Sequence, residues 1–224
     1  MEKFKVDYSE MAHFKGLRVL FEHLEEGLDY AQRNDIKDVC VWTDGDWSKQ
    51  TISFDFLEGR GFIETFHWLV PMSRKSDVKG LKNLANLRNL RWGAAGEFDL
   101  DFVHFQQLEE LNIGYGKKIK GWEHLTELKR LQIAGLKVDD LSLLRQVHNL
   151  EYLRIIGGSF GTISGIEECQ KIRILFLQKC TQLNEIRPII SKLQSLQQLN
   201  LEGCKSIDTK KELFGLEIKH VSII

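Results

Sequence analysis

One pattern recurs along this chain and leaves few folds open to it: apolar residues at the first, fourth, seventh and ninth places of a short unit. Leu84, Leu87, Leu90 and Trp92 make the first clear copy, and Phe105, Leu108, Leu111 and Ile113 the second. The copies continue with Leu125, Leu128, Leu131 and Ile133, then with Val147, Leu150, Leu153 and Ile155. Cys169, Ile172, Leu175 and Leu177 follow, and then Leu193, Leu196, Leu199 and Leu201. With the third apolar residue as marker, these copies fall at 90, 111, 131, 153, 175 and 199. Weaker copies (Ile36, Val39, Val41; Ile63, Phe66, Trp68; Ile218, Val221, Ile223) add markers at 39, 66 and 221. A unit this short cannot enclose a core alone, so neighbouring units must stack and bury it jointly.

The end of each unit, apolar-x-apolar, has the period of a strand and turns both apolar side chains inward. The spacing of three before it fits a 3₁₀ or irregular turn on the same core. The markers predict about nine short parallel strands, a sheet of roughly 38 Å at ~4.8 Å per strand.

The pattern resembles the leucine-rich repeat over about residues 36–223, and GLKVDDLSLLRQVHNLEYLRI (135–155) resembles its internalin-type bacterial class. The resemblance implies an α/β solenoid: a right-handed superhelix with the strands on its concave face. One column departs from the family. Where those repeats usually place Asn, this chain has Asp44, Pro71, Ala95, Gly116, Leu136, Gly158, Cys180 and Cys204. The backbone groups an Asn would satisfy need other partners, so uneven turns are expected. Cys180 and Cys204 are read as small buried thiols rather than a disulfide.

Both ends need closing. Residues 1–35 are read as an N-terminal capping segment and 36–224 as one continuous repeat domain. Met11, Phe14, Leu17, Leu20, Phe21, Leu24 and Leu28 recur at helical spacing. They predict an amphipathic helix over 10–33, capped by Ser9 and ended by Asn34. The final HVSII reads as a last strand with an open edge, so a monomer or an edge-paired dimer is expected.

Composition narrows the partner. Lys plus Arg is 31 and Asp plus Glu is 32, a net charge of −1, which gives no global pull toward nucleic acid. No apolar run approaches the ~18 residues of a membrane span. Glu22, Glu25, Glu26 and Asp29 make the N-terminal helix too acidic for anionic lipid. MEKFKVDYSEMAHF has no basic-then-apolar leader, and the four cysteines include no CxxC. The expectation is a cytoplasmic protein with no nucleic acid, membrane or cofactor among its partners.

Candidate chemistry is sparse. Cys40 and His67, with Asp38, suggest a Cys–His nucleophile pair, though an incidental thiol is the simpler reading. Asp44 and Asp46 in TDGDW resemble part of a calcium loop without its further ligands, so a turn is expected. Gly157, Gly158 and Gly161 lack the Lys and Ser/Thr of a phosphate loop. The seven histidines lie apart without metal-ligand spacing, and Lys117, Lys118, Lys120, Lys210 and Lys211 read as solvated turn lysines. An enzyme is not expected.

Residues between the inward leucines project onto the concave face. The candidate protein-binding residues there are Trp42, His67, Arg91, Glu110, Asn112, Arg130, Gln132, Tyr152, Arg154, Phe176 and Asn200. Arginine and aromatic anchors beside small residues (Gly93, Gly114, Ala134) are the composition of interface hot spots. Tyr152, Ile156, Ile174 and Phe176 are expected as an exposed apolar cluster. The segments ISFDFLEGRGFIETF and LEGCKSID resemble small free-standing bacterial leucine-rich repeat proteins, some of which are immunity partners of toxins. That resemblance implies a protein-binding scaffold for a toxin domain. The alternatives are a regulatory or structural subunit of an endogenous enzyme and, from another class, a Cys-dependent enzyme.

Overall fold

A computed structural model of the chain describes residues 3–224. It divides into two compact units, one running through Leu108 with Gly116–Lys120, the other Glu109–Tyr115 with Gly121–Ile224. The first holds β1 (Phe4–Asp7), β2 (Gly16–Leu20), α1 (Leu24–Arg33), β3 (Asp38–Trp42), β4 (Thr65–Trp68) and β5 (Asn89–Trp92). β1 pairs antiparallel with β2, and β2 to β5 follow in parallel. A separate two-stranded ladder joins β6 (Leu100–Asp101) to β8 (Ile119–Lys120).

The second unit holds β7 (Glu110–Gly114), β9 (Arg130–Ala134), β10 (Tyr152–Ile156), β11 (Ile174–Gln178), β12 (Gln198–Glu202) and β13 (His220–Ile223). All pair in parallel in that order. Two four-residue helices, α2 (Arg187–Ile190) and α3 (Thr209–Glu212), lie on the return path. The nine repeat markers all fall inside strands.

The spacing of three is a hydrogen-bond ring. Leu87 N donates to Leu84 O, Leu108 N to Phe105 O, Leu128 N to Leu125 O, Leu150 N to Val147 O, Ile172 N to Cys169 O and Leu196 N to Leu193 O. Each is the i→i−3 bond of a tight 3₁₀ turn, which points both apolar residues at one core. The strand leucines complete that core: Leu131, Leu153, Leu175 and Leu199 are fully buried.

Successive coils of the second unit are tied at both ends of each strand. The carbonyls of Glu109, Lys129, Glu151 and Arg173 each accept two amides from the start of the next strand. At the exits, Gly135 N donates to Ile156 O, Gly157 N to Gln178 O, Lys179 N to Glu202 O and Gly203 N to Ile224 O. These exit residues take left-handed backbone, with φ from 54° at Lys179 to 70° at Gly157. Glycine adopts that region freely; lysine does so at a cost. The missing Asn ladder is thus replaced in part by main-chain bonds, and Cys204 Sγ donates to Leu177 O at 3.3 Å.

The first unit has an aromatic core that the leucine pattern did not announce. Phe54 and Trp68 have ring centroids 4.6 Å apart, and both lie against Trp92. Phe54 and Trp68 have no exposed surface, and burying a large side chain of this kind stabilises by ~1.5–3 kcal/mol.

The N-terminal expectation needs correction. The helix begins at Leu24, and Gly16–Leu20 is strand. Leu17, Leu20 and Leu24 satisfy a helical spacing, but Leu17, Val19 and Leu20 are all buried when the segment is sandwiched in the sheet. Pairing with β1 on one side and β3 on the other outweighs the local helical preference. Gly16 has φ 141°, and a Cβ there would sit 2.4 Å from Asp38 O, so only glycine lets β2 enter beside β3. Ser9 caps nothing; His23 precedes α1 and no side chain caps it. Asn34 does end the helix, its Nδ2 donating to Tyr30 O at 2.8 Å. Gly27 lets α1 approach β2, since a Cβ there would lie 2.5 Å from Val19.

Candidate protein-binding faces

Alternation between buried and accessible residues sets the outward face of every repeat strand from β4 on except β13. None of the eleven candidate residues is buried. Arg91, Glu110 and Arg130 are exposed, and Trp42, His67, Asn112, Gln132, Tyr152, Arg154, Phe176 and Asn200 are half-buried.

On the first unit, strand register aligns Arg18, Cys40, His67 and Arg91 in one row. The Arg18 guanidinium lies 5.1 Å from the Trp42 ring centre. Arg18 escaped the sequence reading because its segment was assigned to a helix; the alternation Leu17-Arg18-Val19 was the available signal. His67 is less open than its position suggested. Phe14 covers it at 4.8 Å between ring centroids, and its Nε2 lies 3.3 Å from Asn89 Oδ1. Tyr8 Oη donates to Asp38 Oδ2 at 3.3 Å. The chain before β2 therefore overlies this end of the face.

This packing bears on the Cys–His pair. Cys40 and His67 are register partners on adjacent strands. Cys40 is 3% exposed, and burial pushes its thiol up to about 11 against the pull of Arg18 and Arg91. Burial also lowers the basicity of His67, more than the Asn89 contact raises it. Desolvation favours the neutral form of both groups, which is the opposite of an activated thiolate–imidazolium pair.

On the second unit, Asn112, Gln132, Arg154, Phe176 and Asn200 form one register row, and Glu110, Arg130, Tyr152, Ile174 and Gln198 the row beside it. Two cation–π contacts cross strands. Arg130 lies 4.5 Å from the Tyr152 ring centre, and Arg154 lies 4.5 Å from that of Phe176. A polar chain runs from Arg154 Nη2 to Gln178 Oε1 at 3.0 Å, and from Gln178 Nε2 to Glu202 Oε1 at 2.7 Å. Gln132 Nε2 donates to Asn112 Oδ1 at 3.4 Å, and Arg130 Nε lies 3.9 Å from Glu110 Oε1. The apolar cluster expected to be exposed is half-buried instead: Tyr152, Ile156, Ile174 and Phe176 are all partly covered. The two guanidinium groups lie over the rings and shield them.

Comparison with known proteins adds the fold. No family model and no curated protein matches this sequence. Among solved structures, internalin C2 from Listeria monocytogenes aligns over 89% of this chain and 84% of its own, with TM-score 0.56 and 17% identity. An InlF internalin from the same organism aligns over 87% of this chain and 62% of its own, with TM-score 0.56 and 18% identity. The fold is leucine-rich repeat. At this identity the likeness speaks to the fold alone.

The remaining sequence candidates resolve as local structure. In the repeat chain's TDGDW turn, Gly45 N donates to Thr43 Oγ1 and Ser48 N to Asp46 Oδ1. Gly158 makes room for the buried Phe160 ring, which a Cβ would meet at 2.1 Å. Lys120 pairs with Asp99 and Asp101 at 3.9 and 3.8 Å. Among the described residues no three His, Cys, Asp or Glu side chains gather as a metal site, and no helix is long and apolar enough to cross a membrane.

Proposed function

We propose that this leucine-rich repeat protein is a binding module for another protein, docking through the outward strand faces. The observation that supports this most is the pair of cross-strand contacts, Arg130 on Tyr152 and Arg154 on Phe176. Arginine and aromatic side chains dominate interface energetics. Here they are already held by neighbours, so little side-chain freedom remains to be lost on binding. Trp42, His67, Arg91, Glu110, Asn112, Gln132 and Asn200 extend the same faces. In its specific form the proposal is an immunity protein that fills the cleft of a cognate toxin domain with the concave strand face. The sequence resemblance of 52–66 and 201–208 supports that form. The alternative, a regulatory or structural subunit of an endogenous enzyme, would make its contact through the return path or the N-terminal segment 10–33.

Photo-crosslinking in the host tests both. Benzoylphenylalanine is placed at Phe176, at Asn200, and at Gln194, an exposed residue of the return path. The expected result is one discrete adduct from positions 176 and 200 and none from 194. An adduct from 194 alone overturns the strand-face reading. Mass spectrometry of the adduct separates a toxin domain from a resident enzyme.

A further inference from the structure

The N-terminal ends of β9 to β13 enclose a cleft of about 220 Å³ that crosses five strands. Its walls include Arg130, Glu151, Tyr152, Arg173, Ile174 and Lys219. Three of these are cations and one is a carboxylate. Among the described residues Arg130 alone of the three cations has an ion pair, a long one to Glu110 at 3.9 Å. The side chains of Arg173 and Lys219 make no hydrogen bond or ion pair among the described residues, and both are exposed. Tyr152 and Ile174 give the cleft an apolar floor. Uncompensated positive charge around a partly apolar slot matches a carboxylate-bearing chain and repels a basic one.

The spacing specifies more. Arg130 opens β9, and Arg173 and Lys219 immediately precede β11 and β13, so the three cations fall on every second strand. At ~4.8 Å per strand they recur at about 10 Å, and the cleft is about 19 Å long. An extended polyproline-II segment at ~3.1 Å per residue covers that length in about six residue steps and places every third residue, on one face, about 10 Å apart.

We infer that this cleft receives an acidic, extended peptide segment of the protein partner, with carboxylates seated on Arg130, Arg173 and Lys219. The inference rests on the strand-face reading above and names the chemistry of what docks there. Arginine forks suit paired carboxylate oxygens, and Lys219 supplies a point charge beyond them.

The test uses the full chain and fluorescein-labelled hexaglutamate, read by fluorescence anisotropy, with hexaglutamine, hexalysine and hexathymidylate as comparison probes. Hexaglutamate is expected to bind, and the other three to bind at least about tenfold more weakly. Arg173→Gln and Lys219→Gln should each weaken hexaglutamate about three- to tenfold, and Arg173→Glu with Lys219→Glu should abolish it. Lys192→Gln, an exposed charge on the return path, should change nothing. These substitutions are on exposed side chains, and an unchanged melting temperature shows that the variants fold. Equal weakening by Lys192→Gln, tighter binding of hexathymidylate, or no hexaglutamate binding overturns the inference. Crosslinks from Phe176 that persist in any of those cases leave the broader strand-face reading standing; their absence beside cleft-specific hexaglutamate binding retires the broader reading instead.

Discussion

The guanidinium carbon of Arg154 sits 4.5 Å above the ring centre of Phe176, its register partner on the next strand. The same side chain donates through Nη2 to Gln178, while its Nε is enclosed with no hydrogen-bond partner among the described residues. One arginine thus ties together two neighbouring positions on the outward face, Phe176 and Gln178. Alanine at 154 and at 176, singly and together, should show a coupling of about 0.5–2 kcal/mol in a urea-unfolding cycle. Strict additivity of the two changes would mean that the contact is incidental.

Lys179 occupies left-handed backbone at a turn where Gly135, Gly157 and Gly203 serve the equivalent repeats. Lys179→Gly should raise stability by about 0.5–1 kcal/mol, because the left-handed region penalises a Cβ by ~1–2 kcal/mol and glycine returns part of this through the unfolded chain. Gly157→Ala should lower it by about 1 kcal/mol, with no steric clash to add, since nothing lies within 4 Å of its Cβ site. Thermal melts of both variants decide the matter.

Glu212 is buried, and its Oε2 accepts from the amides of Ile186 at 3.0 Å and Arg187 at 2.9 Å. Those bonds hold its carboxyl below the ordinary glutamate value of 4.5. A carboxylate with a depressed folded value stabilises above its unfolded pKa, and the contribution disappears as pH falls through the folded value. Glu212→Gln should therefore weaken the protein by about 1.5–3 kcal/mol at pH 7 and flatten the acid limb of its stability profile. Parallel pH profiles for the two proteins would count against this role.

The neighbouring Cys180 and Cys204 thiols interact, which lowers Cys204 below the ordinary thiol value and raises Cys180 in return. Burial raises Cys40 to about 11 and Cys169 to about 12. Iodoacetamide at neutral pH should thus modify Cys204 first, and Cys204→Ser should remove the fast phase. Fastest labelling at Cys40 would instead revive the catalytic reading of that residue. Peptide mapping after timed quenching gives the order.

The repeat was legible because each unit carries its own period. Leu125, Leu128, Leu131 and Ile133 announce a turn, a strand and an inward face without reference to any other part of the chain. The outward positions of Arg154, Phe176 and Asn200 followed from that parity. What surrounds those positions did not. Guanidinium–ring contacts depend on which residue of the next coil falls opposite, and that is set by register between residues 22 to 24 positions apart.

The N-terminal segment marks the same boundary more sharply. Leu17, Leu20, Leu24 and Leu28 are compatible with one continuous helix, and the sequence alone determined that this stretch would lay an apolar side on the repeats. Tertiary structure decided that Gly16–Leu20 would be strand, because β1 and β3 supply hydrogen-bond partners on both edges and an isolated segment has neither. It also decided that Phe14 would cover His67. Local periodicity fixes which side chains leave water; only the assembled chain fixes what they meet when they do.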